Sequence, residues 1–127
     1  MKAKGAVVIQ AICIPDDRYK DYCNSSDFIK EYIFPGGHLP CKGRIVRAAR
    51  KHMLTNFEFE DIGTHYALTL KAWRERFVRA HGKIVNDLGF DEKFYLMWLF
   101  YFAYCESAFR FRHLHDFIVT CTKEEKM

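Results

Sequence analysis

The residues able to do chemistry are few and widely spaced. Tyr66 opens a stripe in which Tyr66, Leu70, Trp73, Phe77, Ala80 and Ile84 recur three and four apart, one face of a helix ending near Leu88 and Gly89. That spacing puts Tyr66 in the first turn, facing inward, where the amino end of a helix favours an anion. Gln10 interrupts the apolar run Gly5–Pro15, and a polar side chain inside a buried strand needs a partner. His113-x-His115 places two rings on one face of a strand without a third ligand, so it reads as a solvated turn and no metal is expected. Glu106 and Arg110, four apart, form an intrahelical pair. The cysteines, Cys13, Cys23, Cys41, Cys105 and Cys121, are odd in number and lack a C-x-x-C. They suggest neither a disulfide framework nor a zinc ribbon, show no base partner that would make a nucleophile, and fit a reducing, cytoplasmic setting.

These residues need elements to hold them. Gly5–Pro15 is β-branched and apolar at both parities, the pattern of a strand buried on both faces. Asp21–Phe34 reads as a helix with Ser25 or Ser26 as N-cap, stopped by Pro35-Gly36-Gly37, whose Pro-Gly pair suits a type II turn. A second helix is expected over Lys42–Leu54, a short half-exposed strand over Phe57–Glu60, and a helix capped by Thr64. Asp91 caps the next helix, whose segment Phe94–Cys105 is apolar all round and therefore enclosed or facing a greasy ligand. Leu114–Thr122 closes as a strand, followed by a charged tail.

The whole chain is 127 residues, room for one domain at most. With 50% apolar and 28% charged residues it is not disordered, and 12 Phe, 7 Tyr and 2 Trp are many for its size. The net charge of +4 permits contact with anionic surfaces, and the basic residues of Lys42–Lys51 suit either lipid head groups or a solvated helix face. No aromatics interleave there to stack bases, so nucleic acid is set aside. Phe94–Cys105, at twelve residues, is short of the roughly 20 that span a membrane. Lys2 and Lys4 before an apolar run imitate a signal peptide, but Gln10 breaks the run and no cleavage motif follows. Three strands in the order strand, helix, helix, strand, helix, helix, strand give an α/β sheet with helical insertions and at least one bare edge. Residues 1–127 read as a single partial domain.

Several stretches carry a resemblance: VVIQAICIPDDRY (Val7–Tyr19), SSDFIKEYIFPGGHLP (Ser25–Pro40), FEDIGTHYALTLKAWRERF (Phe59–Phe77), LGFDEKF (Leu88–Phe94) and YCESAFRFR (Tyr104–Arg112). In this order they resemble the C-terminal half of the cyclopropane-fatty-acyl-phospholipid synthase family of S-adenosylmethionine-dependent methyltransferases. The resemblance implies the later part of a Rossmann-like methyltransferase sheet, with the glycine-rich cofactor turn in a missing N-terminal half and no cofactor-binding residue in this chain. It implies transfer of a methyl group to a cis double bond of a phospholipid acyl chain, giving a carbocation that loses a proton to bound bicarbonate. Tyr66 matches the family's bicarbonate-binding tyrosine, Gln10 stands where several members have a histidine, and Ile12 would offer a backbone N–H. Tyr101 and Cys105 match positions facing the acyl chain, with Phe34, Gly36 and Gly37 of the YIFPGG motif beside them.

Two classes of function remain open on the sequence. One is a methyltransferase portion working with its missing half at a peripheral membrane surface. The other is a non-catalytic remnant or interaction subunit that pairs or self-associates through its open sheet edge.

Overall fold

Residues 1–125, those described in this computed structural model, form three strands and four α-helices; Lys126 and Met127 of the charged tail lie outside the described residues. The strands are β1 (Ala6–Cys13), β2 (Leu54–Asp61) and β3 (His115–Lys123), and the helices are α1 (Tyr19–Cys23), α2 (Lys42–Arg50), α3 (Gly63–Arg79) and α4 (Glu92–Arg110). The order across the sheet is β1-β3-β2, with β3 antiparallel to both neighbours. The last strand of the sequence is thus the centre of the sheet, and its Val119 is 1% exposed.

β1 corrects the expectation of a strand buried on both faces. It pairs with β3 alone and leaves its other edge open, with Val8 64% and Ile9 44% exposed. The period-two reading of the middle strand holds, since Phe57 and Phe59 are half-buried while Glu58 and Glu60 are exposed. That strand starts earlier, at Leu54, because α2 stops at Arg50 and does not continue to Leu54. A bulge between Thr55 and Glu58 accommodates Asn56 at φ 53°, the left-handed region that asparagine tolerates.

Helix ends depart from the sequence in one consistent way: aspartates do the capping. The expected helix Asp21–Phe34 is two pieces, α1 and a π-helical turn at Ile29–Ile33, and the second is capped by Asp27, whose Oδ1 accepts the Lys30 N–H at 2.9 Å, not by Ser25 or Ser26. At α3 the Asp61 carboxylate accepts the Gly63 N–H at 2.9 Å, so Thr64 lies inside the helix it was expected to cap. Asp91 does cap α4, accepting from the Phe94 N–H at 2.8 Å. The Pro35-Gly36 turn forms with Gly36 at φ 80° and the Gly37 N–H donating to the Phe34 carbonyl at 2.8 Å.

α3 and α4 pack against each other and onto the sheet. Their shared core joins Ala67 and Leu70 to Cys105, Ala108 and Phe109, and reaches the chain beyond β1 through Ile14. Phe77 of α3 stacks on Tyr95 of α4 at 5.0 Å between ring centres. Phe109 is 1% exposed, and truncating such a residue to Ala typically costs about 3–5 kcal/mol. The helix expected to be enclosed or to face a greasy ligand has one face in the open: Leu96 is 57% and Phe100 52% exposed. No helix among the described residues is long and apolar enough to cross a membrane.

Candidate functional site

A cavity of about 340 Å³ opens between the end of β1, α1, the Phe34–Leu39 loop and the last turns of α4. Its size is at the small end of the range for ligand sites, and its depth is apolar: Ile12, Ile14, Ala108, Phe109 and Leu114. Tyr66 enters from the first turn of α3, its ring edge-on to Phe109 at 4.9 Å and to Trp73 at 6.0 Å. Tyr101 and Cys105, one turn apart on α4, face the same space, and Phe34 meets the Tyr101 ring edge-on at 6.0 Å. Gly37 lines the mouth beside Phe34.

Six of the eight residues singled out in the sequence therefore converge here: Ile12, Phe34, Gly37, Tyr66, Tyr101 and Cys105. Gly36 and Gln10 do not line the cavity. Gly36 turns outward with no heavy atom within 4 Å of where a Cβ would stand. Gln10 lies two residues from Ile12 on the same face of β1, and its Nε2 donates to both oxygens of Asp116, at 2.8 and 3.1 Å.

Burial raises the titration of the tyrosines and the thiol that line this space. The Tyr66 hydroxyl is pushed up by burial and by the nearby Cys105 and Asp116. Tyr101 is raised by burial and by Cys105 beside it, and the Cys105 thiol is pushed up to about 11, burial outweighing its contact with the Tyr101 hydroxyl. At neutral pH these groups are protonated donors, not nucleophiles. The Tyr66 hydroxyl takes no hydrogen-bond partner among the described residues, which leaves its proton available to a ligand. A second donor faces the open edge of β1. The Ile14 N–H reaches the Pro40 carbonyl at 3.0 Å, away from β3, and the two-residue alternation of a strand turns the Ile12 N–H to the same side.

Charged groups ring the mouth: Arg18, Asp21, Asp27 and Lys30, with His38 and His113. Arg18 engages the ring and carbonyl of His113, whose titration burial and that guanidinium push down. His38 corrects the expectation that no thiol has a base partner, since its Nε2 is 4.0 Å from Cys23 Sγ and 3.0 Å from the Tyr19 hydroxyl. His115 is no solvated turn residue either: it begins β3 and its Nδ1 meets Asp61 Oδ2 at 2.7 Å. No cluster of three or more His, Cys, Asp or Glu among the described residues suits a metal.

Asp116 is the residue that sequence reasoning missed. It is 0% exposed, on the same face of the sheet as Ile12 and opposite it in register, and it acts electrostatically on Tyr66. The signal was present as a lone carboxylate in a strand of Phe, Ile and Val, His115–Lys123. Its partner Gln10 is 106 positions away, which no local pattern reveals.

A glycine that follows a strand and opens a helix is where a nucleoside cofactor would approach, and Gly63 is such a glycine. Its open side is already filled. A Cβ there would meet Asp61 Oδ1 at 3.0 Å, with the Asp116 N–H and Phe109 ring at 3.5 Å, so the chain packs against itself and forms no cofactor cradle. The surroundings of Gly63 do not fit S-adenosylmethionine.

A family profile described as mycolic acid cyclopropane synthetase matches residues 1–117. The chain is 39% identical over 121 residues to a tuberculostearic acid methyltransferase of Mycobacterium tuberculosis, covering 94% of this chain and 28% of that protein. It is 34% identical over 91 residues to the cyclopropane-fatty-acyl-phospholipid synthase of Escherichia coli, covering 72% and 23%. Among solved structures, a mycolic acid cyclopropane synthase complexed with SAH and CTAB superposes with a TM-score of 0.82 at 24% identity, over 97% of this chain and 46% of that one. A cyclopropane synthase from Mycobacterium tuberculosis gives the same TM-score at 21% identity and the same coverage. The fold is therefore that of a Rossmann-like methyltransferase, of which the chain spans about a quarter of the length of the curated relatives it matches.

Proposed function

Because the chain belongs to the mycolic acid cyclopropane synthetase family, we propose that it supplies the acyl-chain pocket and part of the base site of an S-adenosylmethionine-dependent methyltransferase acting on the cis double bond of a phospholipid acyl chain. The observation that carries this reading is the convergence of Ile12, Phe34, Tyr66, Tyr101 and Cys105 on one apolar cavity. The methyl donor is held by a further part of the protein, N-terminal to these residues, since Gly63 offers it no cradle.

The chain's own residues have three tasks in this reaction. Ile12, Ile14, Ala108 and Leu114 take the acyl chain out of water, which would otherwise trap the positive charge that alkylation of a double bond creates. The rings of Phe34, Tyr66, Tyr101 and Phe109 present faces and edges around that charge, each face worth about 0.5–2 kcal/mol to a cation. The Tyr66 hydroxyl and the outward Ile12 N–H are the donors that would hold a small anion, and a bound bicarbonate would supply a proton acceptor there. Raised titration keeps Tyr66 a donor throughout the neutral range.

The test is transfer of a labelled methyl group from S-adenosylmethionine to vesicles of monounsaturated phospholipid, using the complete protein, with mass spectrometry of the released fatty acids. A gain of one carbon on the unsaturated chain supports the reading, and the product's unsaturation separates a cyclopropane from a methyl branch. Tight lipid binding without transfer would favour the non-catalytic alternative.

A further inference from the structure

α2 carries Lys42, Arg44, Arg47 and Arg50, Lys51 follows at its end, and no acidic residue occurs from Lys42 to Phe57. All five cations are exposed, and none meets a carboxylate within ion-pair distance among the described residues. Elsewhere cations do find one: Lys71 pairs with Glu75, and Arg74 and Arg110 with Glu106. Asp16, at the start of α2, accepts the Gly43 N–H at 3.1 Å and so serves the helix backbone. Ile45, Val46 and Ala49 are half-buried, while Arg47, Arg50 and Lys51 share with Lys42 one shallow, open hollow. At 1.5 Å of rise per residue these charges extend over about 14 Å, a row suited to an extended anionic surface and not a socket for one ion.

The basic face is joined to the cavity mouth. The Arg44 guanidinium lies 5.4 Å from the centre of the Tyr19 ring, the Tyr19 hydroxyl meets His38 Nε2 at 3.0 Å, and His38 lines the mouth. Just before His38 the chain passes Tyr32 and Phe34, which are 60% and 51% exposed. Rings in that position suit the boundary between lipid head groups and acyl chains, where an apolar body and a polar tip are both accommodated. The mouth itself supplies little net attraction, since Arg18 and Lys30 stand there with Asp21 and Asp27. The long-range pull on an anionic surface therefore comes from α2.

We propose that α2 and the Tyr32–Phe34 rim form one docking surface for an anionic lipid bilayer, with the arginines and lysines against the head groups and the two rings at the head-group boundary. The proposal rests on the reading that the cavity receives an acyl chain, and it names the surface that brings the mouth to the membrane. A chain then passes from bilayer to cavity without crossing water, which is what an apolar cavity with an exposed aromatic rim requires. Nucleic acid fits the same charges less well, because no aromatic interleaves among the cations of α2 to stack a base.

The measurement is co-sedimentation of the complete protein with vesicles of phosphatidylcholine alone and of phosphatidylcholine mixed with phosphatidylglycerol, at low and raised salt. The expected result is a preference for the mixed vesicles that weakens with salt. Replacing Arg47 and Arg50 together by Gln should lower partition by about 25- to 30-fold, at roughly fivefold per surface charge. Tyr32→Ser should weaken the part of the binding that salt does not remove. The charge-matched pair Arg76→Gln and Arg79→Gln, at the far end of α3, should bind like the unsubstituted protein. Equal losses in the two pairs, no preference for anionic vesicles, or tighter binding to polyglutamate or single-stranded DNA than to the vesicles overturns the proposal. Methyl transfer is followed in the same samples. Vesicle binding that depends on α2 without transfer leaves the docking surface standing and removes the enzymatic reading, and transfer with binding indifferent to α2 does the reverse.

Discussion

Arg74 of α3 donates its Nε–H to Glu106 of α4 at 3.0 Å, and Arg110 holds the other Glu106 oxygen at 2.9 Å. Glu106 is only 7% exposed, so the pair sequence reasoning assigned to Glu106 and Arg110 is one half of a fork that clamps the two long helices together. Replacing Arg74 by Leu leaves Glu106 with one partner on its own helix. A loss of about 1–3 kcal/mol is expected in urea unfolding, with Glu106→Gln costing less because it removes the charge together with its need.

Tyr66→Phe tests the hydroxyl donor proposed for the base site. Turnover of the complete enzyme should fall by about 10² to 10³, the usual effect of deleting one such donor, and added bicarbonate should partly restore it. The melting temperature should hardly move, because the hydroxyl has no hydrogen-bond partner among the described residues and the ring contacts with Trp73 and Phe109 remain. Unchanged turnover would take Tyr66 out of the site.

Thiol labelling reads the cavity directly. Cys23 is exposed while Cys13, Cys41, Cys105 and Cys121 are buried, so one cysteine should react quickly with a maleimide at pH 7.5 and Cys23→Ser should abolish that phase. Cys105, pushed up to about 11 by burial, should react slowly and more slowly still when an unsaturated fatty acid is added. Labelling of Cys105 unaffected by any acyl ligand would place the ligand elsewhere.

Acid titration separates two neighbouring aspartates. Burial alone would raise Asp61, but the Gly63 N–H and the His115 ring outweigh it and hold the carboxyl below its usual value. A depressed carboxyl stabilises the fold above its unfolded titration, and that contribution is lost as pH falls through the folded one. Asp61→Ala should therefore cost about 0.5–2 kcal/mol at pH 7, as for other helix caps, and progressively less below pH 4. Asp116, raised by burial, has the opposite sign: its ionisation opposes folding, so that penalty shrinks on acidification.

Taken alone, the 127-residue chain should self-associate through the open edge of β1, where Val8 and Ile9 are exposed beside unpaired backbone. Val8→Lys should shift sedimentation toward monomer without changing the circular dichroism. Strong amide protection across Val7–Ile12 in a monomer would contradict this.

What the sequence disclosed was whatever depends on neighbours a few residues away. The Asp91 cap, the Pro35-Gly36 turn and the closing strand all follow from local backbone preference, and each formed where expected. The inward Tyr66 follows from helical period, whereas Tyr101 and Cys105 lie on a helix apolar all round and were singled out only by the family resemblance, so periodicity alone gave one wall of the cavity. Sheet order was not. An apolar run at both parities cannot distinguish a central strand from an edge whose covering comes from outside these residues, and β1 is the edge. Capping by Asp27 and Asp61 was misassigned to Ser25, Ser26 and Thr64 because all these side chains cap well, and the choice belongs to whichever residue the tertiary fold leaves at the helix entrance. Asp116 went unread because its meaning lies in Gln10, across the sheet.

Ile12 belongs at once to the unpaired edge and to the wall of the cavity. A strand that paired with that edge would immobilise one wall of the cavity, and a ligand seated in the cavity would brace β1 for that pairing. Two such events would be thermodynamically linked, and the linkage would be reciprocal: by the factor that docking the edge tightened ligand binding, the ligand would tighten docking of the edge.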